Sequence, residues 1–359
     1  MPSTYLISLI AFLAVLSLVV PVGHWLGPRG WMDVPSGRKQ HTQPIPRVGG
    51  VVLLLLLLTF KLLGWLSLGL SNLEWSLVFG LGTMGVLDDR FNLRAKWKSL
   101  IGLLLALPLA VVHTQLLLQA GSPVTLFGMG IPNNAGVFFS LLTMWYWAVP
   151  QAFNLIDGLN GLLLGFSCIL LAVLSLDPAS LFGSGAAPLL GMLVALLLFN
   201  YPRARHFMGD SGSLSLGMLF AILVMDRALP VHRGLAFWVL AYPILDVTTV
   251  VVIRLATGKN VGHADRSHLH HWMLDHMRGR PHLAVPLLLA LATLPMLRDL
   301  SWEYAKPVSS VGLVLLIALC IRVFLTRVFL EKKTRPTLRE DISLEAALSP
   351  SGTNKTMRD

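Results

Sequence analysis

Apolar runs of membrane-spanning length divide this chain, and no other feature limits its fold so strongly. Eleven runs can be drawn, at 4–22, 49–70, 73–87, 99–117, 136–153, 160–176, 185–201, 213–229, 234–256, 284–297 and 307–326. Most approach the roughly 20 residues that carry a helix across a bilayer, and the tenth is short enough to be re-entrant. Strand-length alternation is absent, and lipid cannot satisfy an open backbone, so the spans are expected to be helices. Charged residues make up only 13% of the chain, about half the ~25% of a soluble protein. The expectation is an all-α polytopic membrane protein with about eleven transmembrane helices and cytoplasmic active-site loops. One transmembrane domain covers 1–333. A Ser-, Thr- and charge-rich tail at 334–359 is expected to be disordered.

The formal net charge of +10 would suggest nucleic acid in a soluble protein. Here no basic, aromatic-laced soluble domain exists to bind it, so nucleic acid is excluded as a partner. The basic loops instead orient the chain and meet anionic lipid. Arg29, Arg38, Lys39 and Arg47 follow the first run, and Arg90, Arg94, Lys96 and Lys98 follow the third. Arg203 and Arg205 follow the seventh, Lys259, Arg266, Arg278 and Arg280 the ninth, and Lys332, Lys333 and Arg335 the last. The opposite loop 114–134 carries no charge. This asymmetry puts the N-terminus outside and the C-terminus in the cytoplasm. The first run lacks a basic segment before it and reads as a retained span, not a signal peptide. Cys168 and Cys320 both lie in apolar runs, so neither a disulfide framework nor a zinc ribbon is available.

Four polar islands interrupt the apolar pattern, all at span ends on the expected cytoplasmic side. The first, Leu87 to Arg90, holds Asp88 and Asp89. Adjacent helical residues point about 100° apart, so both acids can border one crevice. Their repulsion can raise one pKa and leave a base. The plainer reading is an acid pair solvated at a helix end. The second island runs from Asn154 to Gly161, where Asn154, Asp157 and Asn160 recur every three residues, as a polar helical line or as a turn. The third, Phe207 to Gly212, places Asp210 between Gly209 and Gly212 at a helix start, which suits a phosphate and its Mg²⁺. Asp210 could equally cap the helix, and Phe207 could anchor the interface or stack on a base. The fourth, Asp265 to His271, opens an amphipathic segment suited to the headgroup plane, with Leu269, Trp272, Met273 and Met277 on one face. Zinc at His268, His270 and His271 is disfavoured, because no pair is spaced i, i+4 and no Cys completes a site. Two further charges lie inside spans: Asp246, a site or ion-pair candidate that Arg254 could reach, and Lys61, which has no evident role.

In this order the islands resemble the polyprenyl-phosphate N-acetylhexosamine-1-phosphate transferase superfamily of glycosyltransferase family 4. The resemblance covers roughly residues 30 to 280. Arg38-Lys39-x-His41, followed by Pro44, Pro46 and Gly49-Gly50, adds a further match. The last island, Asp265-Arg266-x-His268-x-His270-His271, looks like the WecA and TagO pattern; MraY-type loops carry three consecutive histidines. Asn160 is a departure, standing where many relatives carry a second Asp. The resemblance implies transfer of N-acetylglucosamine-1-phosphate from UDP-N-acetylglucosamine to undecaprenyl phosphate, with release of UMP. That step would start an O-antigen-type lipid-linked glycan at the bacterial inner membrane. It further implies Mg²⁺, with Mn²⁺ as a possible substitute, ligated by Asp210 and Asn154. Asp88 and Asp89 would position or deprotonate the lipid phosphate. Asn154, Asp157 and Asn160 would line the nucleotide and metal pocket, with Phe207 against the uracil. Arg266, His268, His270 and His271 would hold the pyrophosphate and sugar, and Lys39 and Lys98 would contact phosphate. Alternatives are UDP-N-acetylfucosamine or UDP-N-acetylgalactosamine as donor, or a lipid-linked transporter or flippase. Transporters tend to carry internal repeats and midplane polar sites, which this chain lacks. Oligomeric state, with a homodimer one option, is not given by the sequence.

Overall fold

The computed structural model describes residues 3–35, 41–120, 124–126, 129–176, 183–228, 236–259, 267–299 and 305–348. Its helices are α1 Thr4–Leu26, α2 Gly49–Leu62, α3 Asn72–Phe91, α4 Ala95–Ala120, α5 Ala135–Ile156, α6 Leu162–Leu176 and α7 Ala187–Asn200. They continue with α8 Gly209–Ala228, α9 Ala236–Val239, α10 Ala241–Thr257, α11 Leu269–His276, α12 Pro281–Met296 and α13 Ala305–Leu348. Two small antiparallel hairpins accompany them. One pairs β1 (Met32–Asp33) with β2 (Ile45–Pro46), and the other pairs β3 (Val124–Leu126) with β4 (Met129–Ile131). The protein is an all-α membrane protein in class. Three segments, Thr4–Arg29, Ala95–Ala120 and Ala305–Phe329, are long and apolar enough to cross a bilayer, and five shorter helices are also apolar.

Local signals explain several boundaries. Ser71 and Glu74 form a reciprocal capping box at the start of α3, which satisfies two orphan backbone donors. Asn92 ends that helix in the left-handed conformation, at φ 53°. Asn134 caps α5 by accepting from the amides of Gly136 and Val137.

The centre of the bundle is α8. Every residue from Ser211 to Val224 is buried, and α2, α3 and α5 pack around it. A helix buried all round must also satisfy its polar side chains. Ser213 donates to the Gly209 carbonyl at 3.0 Å, and Ser215 to that of Ser211 at 2.7 Å. The N-terminus of α8 comes closest to its neighbours where they have no side chain. A Cβ on Gly85 of α3 would lie 2.5 Å from the Asp210 backbone, and one on Gly50 of α2 would lie 2.1 Å from the Gly212 amide.

The helices depart from the apolar runs in four places. The second run stops being helical at Leu62, so Lys61 sits in a last turn and reaches Asn72 Oδ1 at 3.3 Å; it is not in mid-span. The ninth run breaks at Leu240 into α9 and α10, because the ring of Pro243 is incompatible with the carbonyl four residues before it. α11 buries Leu269, Trp272, Met273 and Leu274 against the bundle, chiefly on α12 and α13, so its apolar face meets protein, not headgroups. Finally, α13 runs on to Leu348, so residues 334–348 are helical where disorder is expected; Leu, Glu, Ala, Lys and Arg are strong helix formers.

The close approach of α3 to α8 is directly testable. Gly85→Ala should destabilise the protein by about 1–3 kcal/mol, the usual cost of overpacking. Gly80→Ala on the same helix is the control, since its Cβ would meet nothing nearer than Leu105 at 3.5 Å. Thermal unfolding in detergent should show a lower transition for Gly85→Ala alone.

Candidate active site

Four helix ends bring the first three islands together. Asp89, in the last turn of α3, accepts the Asp210 amide on Oδ1 at 2.8 Å and the Ser211 amide on Oδ2 at 3.0 Å. It thus satisfies two orphan donors of α8 and puts a negative charge at that helix's positive end. Gly209, at φ 68°, has Asp89 packed where a side chain would be. Asp89 is therefore committed to holding the loop that carries Asp210.

Asp88 points elsewhere. Its Oδ1 accepts the Leu93 amide at 2.7 Å, and its Oδ2 receives Lys98 Nζ of α4 at 2.9 Å. The same ammonium lies 2.9 Å from Asp210 Oδ2. Asp210 Oδ1 accepts from Asn154 Nδ2 of α5 at 2.9 Å, and that amide also donates to Ser213 Oγ at 2.8 Å. Two acids from different helices thus converge on one cation, and an amide fixes the angle of the second acid. Carboxylate oxygens converging in this way suit Mg²⁺, which takes few protein ligands and completes its shell with water and phosphate. The donor set of Asp210 and Asp88 fits such an ion. Asn154 here turns its nitrogen towards Asp210 and so orients that acid.

Asp157 ends α5 beside this cluster. The residue is partly exposed, with its carboxyl in the field of the cluster's other acids. Burial, reinforced by the charges of Asp210 and Asp89, pushes that carboxyl well above the usual range. Asn160 stands apart, its Nδ2 3.5 Å from the Pro202 carbonyl. The next amide, Gly161, donates to Asn200 Oδ1 at 2.5 Å.

The segment before α2 latches onto the Asp210 loop. Phe207 donates its amide to the Pro46 carbonyl, and Gly49 and Gly50 donate theirs to the carbonyls of Phe207 and Met208, all at 2.9 Å. Phe207 meets His41 edge-on, with centroids 5.3 Å apart. Asp33 is buried and pairs with Arg47 and, at 2.9 Å, with His41 Nε2. Burial works against the Arg47 charge, but Asp33, Asp89 and Asp210 outweigh it and raise its pKa. Arg47 is thus a second basic group, after Lys98, within the field of the acids. By its place in the sequence Arg47 is only a loop charge, although it sits between Pro46 and Gly49.

The histidine island closes another side. His268 Nδ1 donates to Asp246 Oδ2 of α10 at 2.9 Å. The rings of His268 and His270 stack at 5.2 Å, and those of His270 and His271 lie 4.4 Å apart. A Cβ on Gly158 would lie 2.3 Å from His270 Nε2, so the island rests on the residue after Asp157. Burial pushes the His270 imidazole down to about 3, leaving it neutral. Lys39 and Arg266 lie outside the described residues.

Residues 73–227 match the model of glycosyl transferase family 4. That stretch contains Asp88, Asp89, Lys98, Asn154, Asp157 and Asp210. The chain is 28% identical over 289 residues to the "Probable undecaprenyl-phosphate N-acetylglucosaminyl 1-phosphate transferase" of Bacillus subtilis, covering 75% of this chain and 76% of the relative. It is 29% identical over 266 residues to the "Undecaprenyl-phosphate alpha-N-acetylglucosaminyl 1-phosphate transferase" of Yersinia pestis, covering 68% and 70%. The protein of the same name in Escherichia coli K12 is 27% identical over 258 residues, covering 68% and 69%.

A carboxyl whose pKa is raised on folding contributes stability that is complete below the ordinary range, near ~4. That stability is lost as pH rises through the raised value. Asp157→Asn should therefore raise the unfolding temperature at about pH 8 and flatten its decline from about pH 5 upward. A variant no more stable than wild type at the higher pH contradicts the raised pKa.

Proposed function

We propose that the chain is a member of glycosyl transferase family 4, whose model residues 73–227 match, and that it transfers N-acetylglucosamine-1-phosphate from UDP-N-acetylglucosamine to undecaprenyl phosphate, releasing UMP. The observation that carries this reading is the Lys98 ammonium shared by Asp88 and Asp210 at the N-terminus of α8. The reaction brings two phosphate anions together, so the site needs fixed positive charge and acids able to hold a divalent cation. The names of the relatives support the acceptor lipid and the hexosamine-1-phosphate class.

In this reading an oxygen of the lipid phosphate attacks the sugar-bearing phosphorus, and the bond to UMP breaks. The sugar C1–O bond is untouched, so the anomeric configuration is retained. Lys98 attracts the incoming phosphates and screens their repulsion from Asp88 and Asp210. Arg47 and the helix N-terminus add to that field, with Lys39 and Arg266 as further phosphate contacts. Asp89 holds the Asp210 loop. Asp157, with its raised proton affinity, is suited to exchange a proton with the lipid phosphate. Asn154 orients Asp210, Phe207 packs against the base, and the histidine island holds the pyrophosphate and sugar. Asp210 and Asp88, with Asn154 behind them, would hold Mg²⁺ or Mn²⁺, which when bound neutralises phosphate charge and polarises the reacting phosphorus.

The topology belongs to the same reading: eleven spans in a bacterial inner membrane, with a periplasmic N-terminus and cytoplasmic islands. Lys96→Cys, in the first turn of α4, and Asn133→Cys, beyond its last turn, are each combined with Cys168→Ser and Cys320→Ser. They should label from opposite sides of the membrane, and labelling from one side refutes the arrangement.

The activity is tested with purified protein, undecaprenyl phosphate and a panel of UDP-sugars, following UMP. UDP-N-acetylglucosamine should release UMP only with lipid phosphate and Mg²⁺ present, and Asp210→Asn should lose at least about 100-fold, as for loss of a main electrostatic group. UMP release from another UDP-N-acetylhexosamine alone would reassign the donor. Exchange of labelled UMP into donor without lipid would replace direct displacement by a covalent intermediate. No release from any donor would sink the reading.

A further inference from the structure

Asp246 of α10 has no exposed surface, the deepest burial of any acid among the described residues. The reaction outlined above uses none of its atoms, yet both of its oxygens engage the histidine island. Oδ2 accepts from His268 Nδ1 at 2.9 Å, and Oδ1 accepts the Leu269 amide at 2.6 Å. A carboxylate receiving two donors acts purely as an acceptor. His268 must then carry a proton on Nδ1, and in the neutral ring Nε2 is left as the acceptor nitrogen. The stacked rings of His268 and His270, 19° from parallel, carry this constraint to Gly158, against which His270 Nε2 is packed. A line of contacts thus runs from a buried acid in one helix to the hinge that bears Asp157.

We infer that Asp246 is a positioning residue for the transfer reaction. It fixes the tautomer and direction of His268 and, through the His268–His270 stack, seats the island against the Asp157–Gly158 hinge. The inference rests on the transferase reading for its kinetic consequence and on geometry alone for the tautomer. Asp246, His268 and His270 also offer ligand atoms within 4.8 Å of one another, as a metal site would. The carboxylate oxygens are already taken by the imidazole and an amide, which favours the orienting role.

Asp246→Asn keeps the shape but presents an N–H to one of the two donors, inviting the opposite tautomer, as when a triad aspartate becomes asparagine. Full-length protein should show kcat for UMP release lowered about 10–100-fold, the range for losing a histidine's orienting partner, with the KM for UDP-N-acetylglucosamine within about threefold. The ¹⁵N ring shifts of wild-type His268 should report a protonated Nδ1, and this signature should vanish in Asp246→Asn. Asp246→Asn combined with His268→Asn should be no slower than the slower single variant. A kcat within about twofold of wild type, or losses that add in the double variant, overturns the inference. So does about one zinc per chain whose chelation abolishes activity. If Asp246→Asn fails to fold, the wild-type ring signature decides, and an unprotonated Nδ1 overturns the proposal. If wild type turns over no UDP-sugar, the transferase reading fails, while the same signature still decides the tautomer.

Discussion

A helix buried on every side cannot leave its first backbone amides bare, and the arrangement of this molecule follows from how α8 meets that demand. Its first turn passes from partly exposed at Asp210 to fully buried at Ser211. The amides of Asp210 and Ser211 are accepted by the two oxygens of Asp89, a residue of another helix. That carboxylate does the work of an N-cap and complements the dipole at once. Its reach is short, so α3 must lie against α8, and Gly85 and Gly50 give the room. Once α3 is seated, Asp88 is turned towards Lys98, and the same ammonium meets Asp210. The cluster that carries the proposed chemistry is thus a by-product of satisfying one helix end.

The same economy governs the other polar groups. Charges in an apolar bundle are costly unless paired, and removing one partner costs more than the pair is worth. Asp33 is shared by Arg47 and His41, Asp246 by His268 and the Leu269 amide, and Lys98 by two acids. Each of these contacts joins separate segments of the chain, so each also fixes how they sit together. Asp157 differs, because its carboxyl lies in the repulsive field of two other acids. A group kept in an unfavourable state by its surroundings is costly to stability and useful to proton transfer.

The four islands were legible because charge is conspicuous in a chain so apolar, and three of them do meet at one place. Their order of service was not. Asp88 and Asp89 look alike in sequence, and only their partners separate a group facing Lys98 from one that caps α8. The pairing of Asp246 with His268 spans 22 residues and a change of helix, beyond the reach of local pattern. Arg254 was the nearer candidate by helical spacing. Asn160 fell on the same three-residue line as Asn154 and Asp157, but the helix ends at Ile156, so the line breaks before reaching it. The apolar face of α11 was visible; that protein rather than lipid would cover it was not, since hydrophobic periodicity does not name its partner.

The Asp89 contact also has a meaning in time. The acid and the Asp210 amide it holds are 121 residues apart. At a synthesis rate of ~5–20 residues per second, Asp89 exists for roughly 6–24 s before its partner emerges. During that interval the acid needs another solvent for its charge. Its place at the end of α3, not in the middle, supplies one, because a helix terminus can stay at the watery edge of the membrane while later segments are made. Drawing α8 into the bundle then exchanges that water for two backbone amides. The order of manufacture, as much as the needs of the finished site, sets how deep such an acid can stand.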